Sequence, residues 1–169
     1  MHIGGNNFQK GIHRGEGSYY FSNYPHIWGW GTWRRAWKNY DYDMKDYDEI
    51  ISTGGINHVF QSNNEMKSNL KIMSMVKQKK INTWDYQWMY SIWKNKGLSI
   101  TPNTNLVSNL GLTGNSTHTF LKDSFRDTAY TNAIRFPLIH STLRISLEAD
   151  RFTYINVFAV PRSIAISFE

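Results

Sequence analysis

The chain has 169 residues, a formal charge of +6 and no cysteine, and 15% of it is aromatic. That length suits one domain with a real core, and so many rings beside so few charges exclude a disordered chain. The lack of cysteine excludes disulfides and any thiolate metal or redox site, and is compatible with the cytoplasm. No apolar run reaches the length of a membrane span, and Met1-His2-Ile3-Gly4-Gly5 has no signal-peptide pattern, so the chain is expected to be soluble in the cytoplasm or bound peripherally at the inner face of the membrane.

In chain order, residues 2–4 read as a short strand and residues 11–18 as a glycine-rich loop. Tyr19-Tyr20-Phe21 reads as an aromatic strand. After Pro25, Gly29 and Gly31, Thr32 is placed to cap a helix that carries Trp33 and Trp37 on one face, in the core. Residues 41–49 read as an acidic, aromatic connection with a frayed turn. Ser62-Asn63-Asn64-Glu65 is a capping box, in which hydroxyl and carboxylate satisfy free N–H groups reciprocally. Met66, Leu70 and Met73 follow at helical spacing, with Lys77, Lys79 and Lys80 at the negative end of the dipole.

Thr83 is placed to cap a further helix that ends before Gly97, a residue suited to a left-handed C′ position. Residues 98–101 and 105–109 read as strands separated by the Pro102-Asn103 turn. Beyond Gly111 the chain is loop-rich as far as Pro137. Strands separated by helices make this an α/β chain with a mixed sheet flanked by helices, residues 1–150 forming the domain and residues 151–169 an unassigned tail.

Seven tryptophans fall into two windows, Trp28, Trp30, Trp33 and Trp37 in the first and Trp84, Trp88 and Trp93 in the second. A flat apolar face with one N–H donor at its edge complements a sugar ring, which is apolar on one side and polar at its rim. Trp28 and Trp30 offer such faces, with one of the two expected to be buried, while Trp33, Trp37 and Trp93 read as core packing. Gly29 and Gly31 admit a close backbone approach to a ligand, or form an ordinary strand-to-helix turn. Asp85, in the first turn of a helix, is kept ionised by the dipole and free N–H groups, which suits a general base and equally suits plain helix stability.

Taken together, Ser18-Tyr19-Tyr20-Phe21-Ser22, Tyr24-Pro25-His26-Ile27-Trp28-Gly29-Trp30, Thr83-Trp84-Asp85-Tyr86-Gln87-Trp88 and Thr117-His118-Thr119 resemble a bacterial family of nucleotide-diphospho-sugar transferases. These are glycosyltransferases of the GT-A fold, described as hemolysin-activation-like, and the resemblance covers roughly the first 120 to 150 positions. It implies a partial GT-A-like sheet and transfer of a sugar from a nucleotide-diphospho-sugar to a glycan or lipid-linked acceptor. On this resemblance Asp85 is the acceptor's base, His118 a ligand of a divalent metal (Mn or Mg), and Trp28, Gly29, Trp30, Gly31, Trp84 and Trp88 contact donor or acceptor.

The family's Asp-x-Asp metal motif has no counterpart in the expected place. Asp41-Tyr42-Asp43 has the letters but follows the glycine loop instead of preceding it. The resemblance also implies a nucleotide-binding half of roughly a hundred residues ahead of His2, a domain of ordinary size. The chain is therefore expected to be the acceptor and catalytic half, inactive alone and with no metal necessarily bound. Asn115 stands where the motif commonly has an acidic residue. A non-catalytic carbohydrate-binding module with Trp stacking platforms is the competing expectation. Nucleic acid is not expected as a partner, because beyond Arg34, Arg35 and Lys38 the Trp windows carry few interleaved cations.

Overall fold

The computed structural model describes residues 1–108 and 131–158. The architecture is mixed α/β: four strands, β1 (His2–Ile3), β2 (Tyr19–Ser22), β3 (Gly31–Thr32) and β4 (Ser99–Pro102), form one sheet in the order β2-β4-β1-β3. β1 pairs parallel to β4 and antiparallel to β3, and β2 pairs antiparallel to β4. The helices are α1 (Arg34–Trp37), α2 (Tyr47–Ser52), α3 (Asn63–Lys77), α4 (Asp85–Lys94) and α5 (Leu147–Thr153), the last continuing as a π-helical stretch, Tyr154–Phe158. None of the described helices is long and apolar enough to cross a membrane.

α4 is the central element. Gln87 through Trp93 are all buried, so this helix is covered on every side, as an apolar helix enclosed by a domain must be. Trp88, Tyr90, Ile92 and Trp93 are fully enclosed, and Tyr24, Met44, Tyr47, Ile56, Met73 and Val76 pack around them as one core. Trp93 is the core residue the sequence suggests. Trp33 and Trp37 are not: both stay 40% exposed.

Several helix ends differ from expectation, each for a local reason. Thr32 does not cap α1, because it is paired with His2 in the sheet and donates its hydroxyl to the Met1 carbonyl at 2.7 Å. α1 therefore starts at Arg34 and lasts one turn. Thr83 does not cap α4 either; its hydroxyl is turned to the Asp85 carboxylate, and Trp84 takes the N-cap position without a side-chain bond. Ser62 does cap α3, accepting from the Glu65 N–H at 3.2 Å, but Glu65 reaches one residue further back, to the Gln61 N–H at 2.7 Å.

Its other oxygen accepts from the Tyr24 hydroxyl. The buried stripe of α3 accordingly runs through Glu65, Asn69, Met73 and Val76, displaced toward polar side chains from the Met66-Leu70-Met73 line. Residues 41–49 contain the start of α2 where a frayed connection is expected. The left-handed residue after α4 is Lys96 (φ 51°) and not Gly97. Gly97 instead donates to the Ile92 carbonyl, while Lys96 donates to that of Trp93, closing a Schellman motif. A Cβ at 97 would lie 2.4 Å from the Met1 sulfur, so a larger residue there would require the Met1 side chain to move. Residues 105–108 form no strand: the Asn105 side chain accepts from the Asn7 N–H and donates to the Val107 carbonyl, holding an irregular turn.

The interior carries three titratable groups whose charge states differ from those of the unfolded chain. Burial lowers His2 from 6.5 to about 4 and His26 from 6.5 to about 3. Asp150, at the base of α5, accepts from the Ser22 hydroxyl (2.5 Å) and the Asn23 N–H (3.0 Å), yet burial still raises it from 3.8 to about 6. The two histidines make the unfolded state the better proton binder below 6.5, so their contribution is complete at higher pH and lost as pH falls toward 4. Asp150 has the opposite sign, since between 3.8 and 6 it is the folded state that holds the extra proton. Two histidines outweigh one carboxyl. Urea unfolding should therefore lose on the order of 2 kcal/mol between about pH 7 and about pH 5, and Asp150→Asn, lacking the offset, should lose more. Stability that is flat across this range would contradict the assignment.

Candidate functional site

The two tryptophan windows meet in space. Trp30, leaving the 29–31 turn, stacks on Trp84 with ring centroids 5.4 Å apart and planes 24° from parallel. It also stacks on the His2 imidazole at 5.2 Å and lies 6.0 Å from Trp37 and 6.1 Å from Trp88. Trp37 in turn lies flat on Tyr40, 4.5 Å apart and 6° from parallel, and 5.0 Å from Trp88. These separations are those of favourable offset and tilted aromatic pairs. Trp88 is the buried floor; Trp37 and Trp84 are 40% and 41% exposed, and Trp30 and Tyr40 are half-buried. The result is a continuous aromatic platform facing solvent.

His2 fixes the floor. The Trp88 indole can only donate, so its 3.2 Å bond to His2 Nδ1 requires that nitrogen to be the acceptor. Nε2 then carries the proton and donates to the His26 carbonyl at 3.0 Å. One neutral tautomer satisfies both bonds, in agreement with the pKa lowered by burial.

Asp85 opens α4 directly after Trp84 and is half-buried. Its Oδ1 accepts from the Thr83 hydroxyl and from the Tyr86 N–H at 2.9 Å. Among the described residues Oδ2 has no hydrogen-bond partner, which leaves that oxygen able to accept a proton. Tyr40 donates its hydroxyl to the Trp84 carbonyl at 3.3 Å, and its phenol is raised by burial and then by Tyr42, Asp85 and Asp41. Asp85 therefore adjoins the platform through Trp84, the residue before it. Behind Tyr40 lies a recess of about 440 Å³ lined by Lys38, Asn39, Tyr40, Asp41, Asp46 and Lys94, among others.

The structure thus brings Trp30, Trp84 and Trp88 together, with Asp85 adjoining Trp84. Trp28 turns the other way: its ring meets Phe8 edge-on at 5.4 Å. Neither Trp28 nor Trp30 is fully buried, contrary to expectation. His118 lies outside the described residues. Sequence reasoning missed Trp37 and Tyr40 as platform members, although their i, i+4, i+7 spacing from Trp33 was the available signal.

Gly29 and Gly31 differ. Gly29 has φ +56°, and a Cβ there would lie 2.5 Å from Val107 Cγ1, so an intramolecular contact occupies its open side. Gly31 lies in β3, where a Cβ would meet the Ile3 side chain at an ordinary 3.6 Å.

The carboxylates of Asp41-Tyr42-Asp43 are engaged locally. Asp41 accepts from the Asp43 and Lys45 N–H groups, and Asp43 pairs with Lys79 at 3.4 Å. Among the described residues no group of three or more His, Asp or Glu is placed to hold a metal.

No family model, no curated protein and no solved structure matches this chain.

The two glycines give a direct test. Gly29→Ala should cost about 1–3 kcal/mol, because it adds a left-handed non-glycine residue to a contact with no room. Gly31→Ala should change stability by less than about 1 kcal/mol, since the strand admits its Cβ. Thermal or urea unfolding of both variants measures the contrast, and equal effects would show that the turn does not depend on Gly29.

Proposed function

We propose that the chain is the acceptor-binding and catalytic part of a sugar-nucleotide glycosyltransferase, of the GT-A kind that its motifs resemble. The observation that carries this reading is the convergence of two tryptophan windows, some fifty positions apart, on one exposed platform beside Asp85. A domain gains by burying such rings. Leaving two-fifths of a tryptophan in water forgoes roughly 2 kcal/mol at about 25 cal/mol per Å². Contiguous exposed apolar surface of this kind marks a binding site.

On this reading an acceptor sugar lies flat on Trp37 and Trp84 with a hydroxyl turned toward Asp85 Oδ2. The carboxylate takes the hydroxyl proton as the oxygen attacks the anomeric carbon and the nucleoside diphosphate departs. The Thr83 hydroxyl and Tyr86 N–H hold Oδ1, fixing the carboxylate's orientation. The divalent metal implied by the resemblance finds no set of three or more His, Asp or Glu ligands among the described residues.

Titration of the chain with oligosaccharides, followed by tryptophan fluorescence and calorimetry, is the first measurement. Trp84→Ala should weaken binding about tenfold or more, the scale of a lost aromatic anchor. Asp85→Asn should leave saccharide binding within about twofold, yet lower turnover by roughly 10²–10⁴ in a protein with the donor-binding half supplied. Absence of saccharide binding would sink the platform. Full turnover with Asp85→Asn would remove Asp85 as base and favour a non-catalytic carbohydrate-binding module.

A further inference from the structure

α1 closes its single turn with two i→i+4 backbone bonds, from the Trp37 N–H to the Trp33 carbonyl (2.9 Å) and from the Lys38 N–H to the Arg34 carbonyl (3.2 Å). Residues linked in this way lie one above the other on the same face. Arg34 and Lys38 therefore form a cationic stripe, with Trp37 one residue round the helix from Lys38, while Trp33 is the extended N-cap residue. All four side chains are exposed. Arg35 holds its guanidinium 5.3 Å from the centre of the Trp33 ring.

Three of the chain's cations, Arg34, Arg35 and Lys38, are gathered on this one turn, on either side of Trp37. Arg14, Lys79 and Lys94 each stand in an ion pair with Glu148, Asp43 and Asp46. Among the described residues, none of Arg34, Arg35 and Lys38 forms an ion pair, although they sit within five positions of one another. Like charges so close repel in the absence of an anion, and a surface built only for solubility interleaves both signs. Here the cations adjoin Trp37, a member of the aromatic platform, along the turn.

From this juxtaposition of a cation stripe and Trp37 on one helical turn, we propose that the platform's saccharide is anionic, an oligosaccharide bearing carboxylates at the ring edge. The sugar's apolar face stacks on Trp37, while its carboxylate meets Arg34 and Lys38, guanidinium offering the bidentate geometry that a carboxylate accepts. The inference rests on the saccharide-binding reading and narrows its substrate class. Single-stranded nucleic acid also combines rings with negative charge, but its backbone needs cations that track it over several nucleotides. These cations span one turn, and the platform's other side is bordered by the carboxylates Asp85 and Asp41.

Calorimetric titration of the full chain with three probes distinguishes the outcomes: a hexamer of galacturonate, a neutral glucan hexamer and an oligothymidylate. The galacturonate hexamer should bind about tenfold or more tightly than the glucan, and its affinity should fall as salt is raised. Arg34→Gln/Lys38→Gln, both at exposed positions, should remove that preference while leaving glucan affinity unchanged, whereas Trp37→Ala should weaken both. Equal binding of the two saccharides, or a preference that survives the double substitution, overturns the anionic assignment and leaves saccharide binding standing. Binding of neither saccharide overturns both. Tighter binding of the oligothymidylate than of either sugar overturns the saccharide in favour of nucleic acid.

Discussion

The neutral His2 imidazole is the constraint on which the rest of the molecule depends. It sits in β1, the strand that pairs with both β3 and β4, and it is wholly buried. Its Nδ1 receives the indole N–H of Trp88 in α4, its Nε2–H reaches the carbonyl of His26, and its ring stacks on Trp30. One side chain thereby ties the sheet to the central helix, to the segment entering the glycine turn, and to the platform. The bonds require a neutral ring, and burial enforces that state. A buried imidazole with both nitrogens satisfied in a single tautomer specifies geometry as well as contributing stability.

That geometry explains why the aromatic cluster is neither core nor ordinary surface. Trp88, immobilised by His2, is a floor that cannot tilt to admit its neighbours. Trp30 and Trp37 pack on its upper side, and Trp84 and Tyr40 pack on those rings in turn. Trp30 stacks on both His2 and Trp84, while the outer rings, Trp37 and Trp84, keep two-fifths of their surface exposed. The stack therefore ends in solvent, with flat faces held by neighbours whose own positions are fixed. Such preorganisation lets a ligand bind without also paying to order the surface it meets.

A second feature is how much polarity the interior carries. Glu65 takes the Tyr24 hydroxyl and the Gln61 N–H. Asp150 takes the Ser22 hydroxyl and the Asn23 N–H. Both carboxylates anchor helices to the segment 22–24, which leads into the platform through His26 and the glycine turn. α5 is docked on β2 through Asp150 and through Gln9, whose amide donates to the Ala149 carbonyl and to Thr153. These networks exact a desolvation cost, and in return they fix one placement of the loop that delivers Trp30.

The sequence by itself determined what local physics can determine. The strands near His2, Tyr19 and Ser99, the cap at Ser62, the helix beginning at Asp85 and the enclosure of Trp93 were legible, because hydrophobic pattern and cap chemistry act within a few residues. The caps at Thr32 and Thr83 were misread because a hydroxyl that can cap a helix can also serve another partner, here the Met1 carbonyl and the Asp85 carboxylate. Gly97 was matched to a left-handed turn when the left-handed residue is Lys96 and the close neighbour of Gly97 is Met1, a contact across 96 positions of chain. The gathering of the tryptophans into two windows was visible in the sequence, but which rings remain exposed was not. That choice belongs to tertiary structure alone, since it depends on His2 holding Trp88 from a strand 86 positions away.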